Sequence, residues 1–547
     1  MASKINTALD QIKDCIDRNE NFCLNAGAGS GKTHTLVSTI NYLKTEYQEK
    51  KIVCITYTNN AKHEIINRLN DNFNILVATI HDFIWKNICK FQTPLRLEVN
   101  KYIEEKIKKY AKENDEKRLE KYLNADLTLP IVYRDYESLS NGVISHDTLL
   151  NIFKSFLLNR QFCNVLFSSF DYIFIDEYQD TDKTIFYEFL KVFQEYKNCS
   201  SHILIGLFGD TMQNIYNTGI GEIQAEFKAM FRYIQKEDNY RSCEGIVKLN
   251  NCLRNDLKQV CKNNSIESKE IKFIYNISED KYLKQYSYYN NYEKLHLTHR
   301  YIADEIGFSN MYNIYNKKYG DKTSNIIKSA DERFLRYICN EIMPAIYNVR
   351  NNSSCTIIQN INKNYFNFNL LNRIKRELNN IIDEINSISI NEFLEKILAL
   401  DIFSNLNYYA LIKSYEKSDD MEFFNLVKEI KAIEFYNYYL QYSQYTSLQT
   451  MHGTKGNEFP NVLININENT TWNWYNFSKW LKGEPLKDTV KIRTEKLMYV
   501  SCTRAINSLI INYIVEENDS KSEYAILAMK NNVKQIWGDN IEFWVNN

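Results

Sequence analysis

Ala26 to Thr33 reads A-G-A-G-S-G-K-T. The alternating glycines, Gly27, Gly29 and Gly31, let backbone N–H groups curl round an anion. The closing Gly31-Lys32-Thr33 matches the end of the phosphate-loop pattern G-x-x-x-x-G-K-[S/T], with Ala26 standing where its first glycine is usual. Lys32 has the reach for the β- and γ-phosphates of a nucleoside triphosphate, and Thr33 offers a hydroxyl to Mg2+. A second, acidic stretch, Asp176-Glu177-Tyr178-Gln179-Asp180-Thr181, follows the apolar run 172–175 (YIFI). An aspartate at the end of a buried strand is where nucleotide-bound Mg2+ takes a further ligand. Glu177 beside it can orient or deprotonate a water. Alone, this stretch reads as a solvated acidic turn; paired with a phosphate loop it reads as the hydrolytic half of a nucleotide site.

Both stretches need strands and helices to hold them. Asn21–Asn25 predicts a short strand and Lys32–Glu46 a helix, so the loop lies at a strand-to-helix turn whose helix dipole favours an anion. Ile52–Tyr57 predicts a second strand and Ala61–Leu69 a second helix, the βαβ rhythm of a parallel sheet. From Trp85 to about residue 161 the rhythm breaks, and Lys101–Tyr122 has the spacing of one charged helical stretch. Apolar strands return at Tyr172–Ile175 and His202–Phe208. Leu295–Ile306 reads as strand then helix, Ser309 to about Ser443 as helical, and Val462–Ile466 and Leu509–Val515 as strands. The chain therefore divides into one α/β unit, 1–86 and 160–236, interrupted by a helical insertion, 87–159, and a second, 237–310 and 445–547, interrupted by another, 311–444.

Bulk properties exclude more than they assign. With 67 basic and 68 acidic residues the formal net charge is −1, so any nucleic-acid track must be a local basic groove. With 40 Tyr and 29 Phe, aromatic clusters arise by chance and carry no argument for base stacking. The 12 cysteines include no CxxC pair, and the even spacing of Cys243, Cys252 and Cys261 fits no common zinc site. They read as reduced thiols. Met1–Asp10 has no apolar signal core, and no run approaches the roughly 18 apolar residues of a membrane span. A cytoplasmic protein with no membrane association is expected.

The order of motifs resembles the UvrD/Rep-like superfamily 1 helicases. AGAGSGKT and DEYQDT resemble motifs I and II. Gln11 looks like the adenine-reading glutamine upstream of the loop. Ile55–Ala61 (ITYTNNA) resembles motif Ia, and Thr79–Phe83 (TIHDF) the element that follows it. Ile144–Leu150 is similar to the DDLL segment, and Gly209–Tyr216 (GDTMQNIY) to motif III. Asn239–Ser242 (NYRS), Thr450–Phe459 (TMHGTKGNEF) and Tyr499–Ala505 (YVSCTRA) resemble motifs IV, V and VI. The second insertion has no counterpart.

This resemblance implies two RecA-like P-loop NTPase domains of α/β class, each a parallel sheet with a mainly helical insertion. It implies ATP and Mg2+ as cofactors. The nucleotide-binding set would be Gln11, Ala26, Gly27, Ala28, Gly29, Ser30, Gly31, Lys32 and Thr33, with Tyr240 stacking on adenine and Glu458 at the sugar. Thr33 and Asp176 would hold Mg2+, Glu177 would activate water and Gln213 would sense the γ-phosphate. Arg241 and Arg504 would reach that phosphate from the second domain, which makes hydrolysis report lobe closure. Tyr57, Thr58, Asn59, Thr79, His81, Tyr216 and His452 would lie along single-stranded DNA. Against these stand plainer readings: Tyr240 or Tyr57 as packing tyrosines, Arg241 or Arg504 as surface ion pairs, and His81, His299 and His452 as structural histidines.

The chain also departs from the pattern. After motif III, Thr218 stands where a base-stacking aromatic is usual and Gly219 where an arginine is. Arg493–Leu497 scrambles the usual opening of motif VI. The second insertion is shorter than in replicative and repair members. Two functions are therefore expected: a 3′→5′ helicase or translocase on single-stranded or tailed duplex DNA, or a DNA-sensing regulatory ATPase partnered by a separate nuclease in DNA repair or antiphage defence. A small-molecule NTPase leaves motifs Ia, V and VI unexplained.

Overall fold

The computed structural model describes residues 7–69, 75–125, 128–134, 136–199, 203–215, 219–263, 265–279, 281–283, 287–351, 353, 368–400, 405–418, 420–469 and 474–547. Tyr216 and Thr218 lie outside this set. Two six-stranded sheets dominate it. In the first, the strand order is Ile75–Thr79, Ile52–Thr56, Tyr172–Asp176, Leu204–Gly209, Phe22–Ala26, Arg232–Lys236. In the second it is Leu448–Thr450, Glu293–His296, Phe459–Asn467, Ala505–Ile514, Ile271–Asn276, Glu542–Asn546. Every ladder in both is parallel. These are two RecA-like α/β units.

The central strands are continuous apolar runs because helices cover both faces. Tyr172–Asp176 and Leu204–Gly209 are buried along their whole length. The edge strands Arg232–Lys236 (RYIQK) and Glu542–Asn546 (EFWVN) are partly exposed and mix polar with apolar residues, so neither shows the continuous apolar run of a buried strand. Leu448–Thr450 is a three-residue edge. All three went unread, as did Ile75–Thr79 and Ile271–Asn276.

The first insertion is built on helices Gln92–Glu113, Glu116–Leu123 and His146–Leu157. The single helical stretch expected over Lys101–Tyr122 is two helices. Asn114 adopts φ 53°, and the Asp115 side chain then accepts from the Arg118 N–H to cap a new helix. A short parallel pair, Val132–Tyr133 with Val143–Ile144, completes this insertion. The second insertion runs from helix Ser309–Tyr319 to helix Ala432–Tyr442 around its own apolar core, which includes Phe334, Ile346, Phe424 and Phe435. Buried Glu332 accepts from the Tyr315 hydroxyl and from the N–H groups of Phe334 and Leu335, so its charge is spent locally on packing.

One relation between the sheets matters for function. The phosphate loop, Asp176, Asp210, Tyr57 and the Thr79 cap all follow the carboxyl ends of strands in the first sheet. Ligands of open parallel sheets gather at that edge. The second sheet turns its opposite edge toward it: Glu458 and Arg504 immediately precede paired strands, with Phe459 opposite Ala505.

Candidate nucleotide-hydrolysis site

Strand Phe22–Ala26 delivers the loop, and helix Lys32–Glu46 carries it away. Gly29 and Gly31 both take φ 75°, which an L side chain rarely adopts. Gly31 is the helix cap and no side chain bonds the first-turn N–H groups. Ser30 Oγ is buried without a hydrogen-bond partner. An uncapped helix start beside an orphaned hydroxyl suits a phosphate group.

Strand Tyr172–Asp176 ends under the loop. Lys32 Nζ lies 3.6 Å from Asp176 Oδ1 and pairs more closely with Glu177 Oε1. Glu177 sits in the left-handed region, φ 50° and ψ 41°, a strain of about 1–3 kcal/mol that functional sites often hold. Burial pushes the Asp176 carboxyl up from its ordinary range. Burial acts the same way on Glu177, but Lys32 and Lys455 outweigh it and hold that carboxyl low and ionised. For Lys32, burial opposes the charge, while Glu177 and Asp176 prevail and raise its pKa. A carboxyl pair with split tendencies and one lysine suits a Mg2+–phosphate group: one oxygen donor for metal, one ionised base for water, one cation for phosphate.

The second lobe closes directly on the loop. Ala28 O accepts from Asn239 Nδ2 (2.9 Å) and Gln259 Nε2 (3.1 Å), and Gly29 O accepts from the Tyr240 N–H (2.9 Å). A Cβ on Gly27 would meet the Gln259 side chain at 2.5 Å, and one on Gly29 would meet Arg241 Cβ at 2.7 Å. The approach of the other lobe therefore calls for glycine at these positions, alongside phosphate wrapping. Tyr240 is 52% exposed and borders Gly31. The exposed ring is not the core tyrosine of the plainer reading.

Arg241 donates Nε to Glu458 Oε2 (2.6 Å) and Nη1 to Thr503 O (3.3 Å). Arg504 is only 1% exposed, and its donors go to Val500 O, Asn457 O and Thr503 Oγ1. Among the described residues no carboxylate pairs with it. Burial and then the like charge of Arg241 push it down to about 9. A buried guanidinium without a counter-ion fits an incoming anion, and the surface ion pair considered for Arg504 does not occur. Gln213 is buried and donates Nε2 to Asp210 Oδ2 (2.9 Å). Gln11 is half-buried on helix Ala8–Asp17, which precedes the loop's strand in the chain.

Several residues of the site were not singled out in the sequence. Lys455, inside the motif V stretch, reaches from the second lobe to Asp180 Oδ2 and to Gln213 O (2.7 Å). Gln179 donates to Glu177 Oε2 (2.5 Å). Asp180, Gln179 and Lys455 lie within recognised motifs and could have been read there. Gln259 and Arg254 lie in no motif, and only tertiary structure brings them to the seam.

Of the residues expected along DNA, Tyr216 lies outside the described residues; the others lie at the same edge of the first sheet and across the seam. Tyr57 is 41% exposed, and Thr58 and Asn59 are exposed beside it. Thr79 accepts from the Asp82 N–H (3.2 Å) and caps helix Ile80–Ile88, a structural task. His81 stands 4.5 Å from His146, ring centre to ring centre, which joins the TIHDF and Ile144–Leu150 segments. Burial, and then His146, push His81 down to about 4. His452 bonds Tyr475 Oη (2.9 Å), and that hydroxyl donates to Ile215 O (3.0 Å), a bridge between the two lobes. Burial likewise takes His452 down to about 4.

Comparison with known proteins adds family to geometry. Residues 11–219 match the family model of an AAA domain, and residues 283–516 match that of the UvrD-like helicase C-terminal domain. A Gabija protein GajB of Bacillus cereus strain HuB5-5 is 26% identical over 97% of each chain. A second GajB, of Bacillus cereus strain VD045, is 24% identical over 93% of this chain and 96% of its own. The ATP-dependent DNA helicase Rep of Buchnera aphidicola subsp. Schizaphis graminum is 28% identical over 42% of this chain and 41% of its own.

Proposed function

We propose, from the premise that this chain belongs to the UvrD-like family of superfamily 1 helicases and is an ATP-hydrolysing DNA helicase, that it couples hydrolysis to 3′→5′ movement along single-stranded DNA. The observation that carries the coupling is Arg504: a buried guanidinium of the second lobe, without an acidic partner among the described residues, near enough to Glu177 and Asp210 of the first lobe to feel their charge. Such a group stabilises transition-state charge only when the lobes close, which is how hydrolysis becomes motion.

In this mechanism the loop from Ala26 to Gly31 cradles the phosphates, and Lys32 leaves its carboxylates to hold the β- and γ-groups. Thr33 and Asp176 would hold Mg2+, which when bound would neutralise charge at the phosphate oxygens. Glu177, which follows the strand directly after Asp176 and is held by Gln179, takes the proton of the attacking water. Gln213, Arg241 and Arg504 report the γ-phosphate. Tyr240 stacks on the base, with Gln11 at its edge and Glu458 near the sugar. Tyr57, Thr58, Asn59, Thr79, His81, Tyr216 and His452 line the single strand.

A second reading is a DNA-sensing ATPase subunit that works with a separate nuclease in repair or antiphage defence. Two proteins named Gabija GajB match over 93% or more of this chain and 96% or more of their own, while a probable DNA helicase II homolog of Mycoplasma capricolum matches over 89% of this chain and 81% of its own. The sequence departures at Thr218 and Gly219 favour this second reading. No helix among the described residues is long and apolar enough to cross a membrane. Unwinding of a 3′-tailed duplex with ATPase measured in parallel separates the readings. Strand separation supports the helicase, and DNA-stimulated hydrolysis without separation supports the sensor.

A further inference from the structure

Arg254 lies just past helix Glu244–Cys252, in the seam between the lobes, with its side chain wholly enclosed. Nη1 donates to Tyr499 Oη (2.8 Å), while Nε and Nη2 donate to the two carboxylate oxygens of Asp256, each at 3.0 Å. Nη2 also lies 3.3 Å from Asp210 Oδ1, and Asp210 is fully buried. Asp256 accepts in turn from Asn25 Nδ2 (2.9 Å) and Thr211 Oγ1 (3.1 Å), both of the first lobe. Tyr499 Oη donates to Asp210 Oδ2 (3.2 Å) and accepts from the Ala28 N–H of the phosphate loop (3.3 Å).

Asp210 then leads to the groups assigned to chemistry. Gln213 donates to Asp210 Oδ2, and the Asp210 N–H donates to Gln179 Oε1 (3.2 Å), whose amide holds Glu177. One cation of the second lobe thus connects, through an ion pair and short chains of hydrogen bonds, to the phosphate loop, the γ-phosphate sensor and the water-activating carboxylate. Asp210 also accepts from the Met212 N–H (3.1 Å) of its own lobe, and Arg254 supplies the compensating charge that a buried carboxylate needs. The planar fork of arginine meets three acceptors at once, which the point charge of lysine does not.

We propose that Arg254 is a positioning residue for hydrolysis: through Asp210 and Tyr499 it sets Gln213, Glu177 and the Ala28 main chain in register with the second lobe. When the lobes part, this register is lost, so the chemical step waits on closure. The inference rests on the roles given above to Glu177 and Gln213.

The test uses the full chain. Arg254→Lys keeps the charge and loses the fork; Tyr499→Phe keeps the ring and loses the bridging hydroxyl. Each is expected to lower kcat by about tenfold or more while KM for ATP stays within about threefold, since positioning acts on the transition state and not on ground-state binding. The double variant should lose less than the product of the two single losses, because both residues act on Asp210 and contact each other. Thermal melting reports whether each protein folds, and Tyr499→Phe alone decides the matter if Arg254→Lys does not. A kcat near the wild-type value in folded Tyr499→Phe, a raised KM with kcat preserved, or losses that simply multiply would each overturn the proposal. Glu177→Gln run alongside keeps the two questions apart: normal turnover there overturns the assignment of the site itself, whereas an inactive Glu177→Gln beside unimpaired seam variants overturns only the role of Arg254.

Discussion

Lys32 is paired with the carboxylates of Asp176 and Glu177. Its replacement by alanine should lower turnover by roughly 100-fold or more, the scale of losing one charge stabiliser in a desolvated site. Wild-type turnover in folded Lys32→Ala would contradict its role. Glu177→Gln should bind ATP with near-normal affinity, measured by a fluorescent analogue, while turnover falls. An affinity collapse with normal turnover per bound nucleotide would contradict the base assignment. The buried imidazoles predict a pH response. His81, His299 and His452 are each pushed down to about 4, chiefly by burial, against about 6.5 in an unfolded chain. Between those values the unfolded chain binds more protons, so stability is intact above about pH 6.5 and declines as pH falls toward 4. Melting temperature should drop over that window, and His452→Gln should make the drop shallower. An unchanged slope would mean that His452 is not held neutral.

At the scale of elements, the phosphate loop answers to two partners. Gly27→Ala places a methyl group against Gln259, an overpacking cost of about 1–3 kcal/mol. Activity should fall in Gly27→Ala and return in Gly27→Ala with Gln259→Ala, read as kcat/KM for ATP. If the second substitution restores nothing, glycine is needed there for phosphate alone. Much of this architecture is legible in the sequence: Lys32–Glu46 is a helix over the span the pattern predicts, and the buried central strands announce themselves because both their faces are apolar. The edge strands Arg232–Lys236 and Glu542–Asn546 do not, since half their surface meets water. The break at Asn114 is equally silent, because an asparagine can take φ 53° without any glycine to mark it. At the site, every residue on a motif could be read in advance. Arg254 and Gln259 could not, because their meaning comes from a second lobe folded against the first.

At the scale of the whole molecule, the neutral overall charge makes DNA binding a local matter. ATP hydrolysis should rise on adding single-stranded DNA, and the concentration of DNA needed should increase with salt as phosphate contacts release counterions. A rate indifferent to DNA of any length would remove the nucleic-acid track from the account. The central claim is directed movement, and its most direct test is displacement of streptavidin from biotinylated single strands by the full chain with ATP. Movement 3′→5′ predicts rapid, ATP-dependent release from a 5′-terminal biotin and none from a 3′-terminal one, with Lys32→Ala inert on both. Release from the 3′ end alone, or DNA-stimulated hydrolysis with release from neither end, would contradict it.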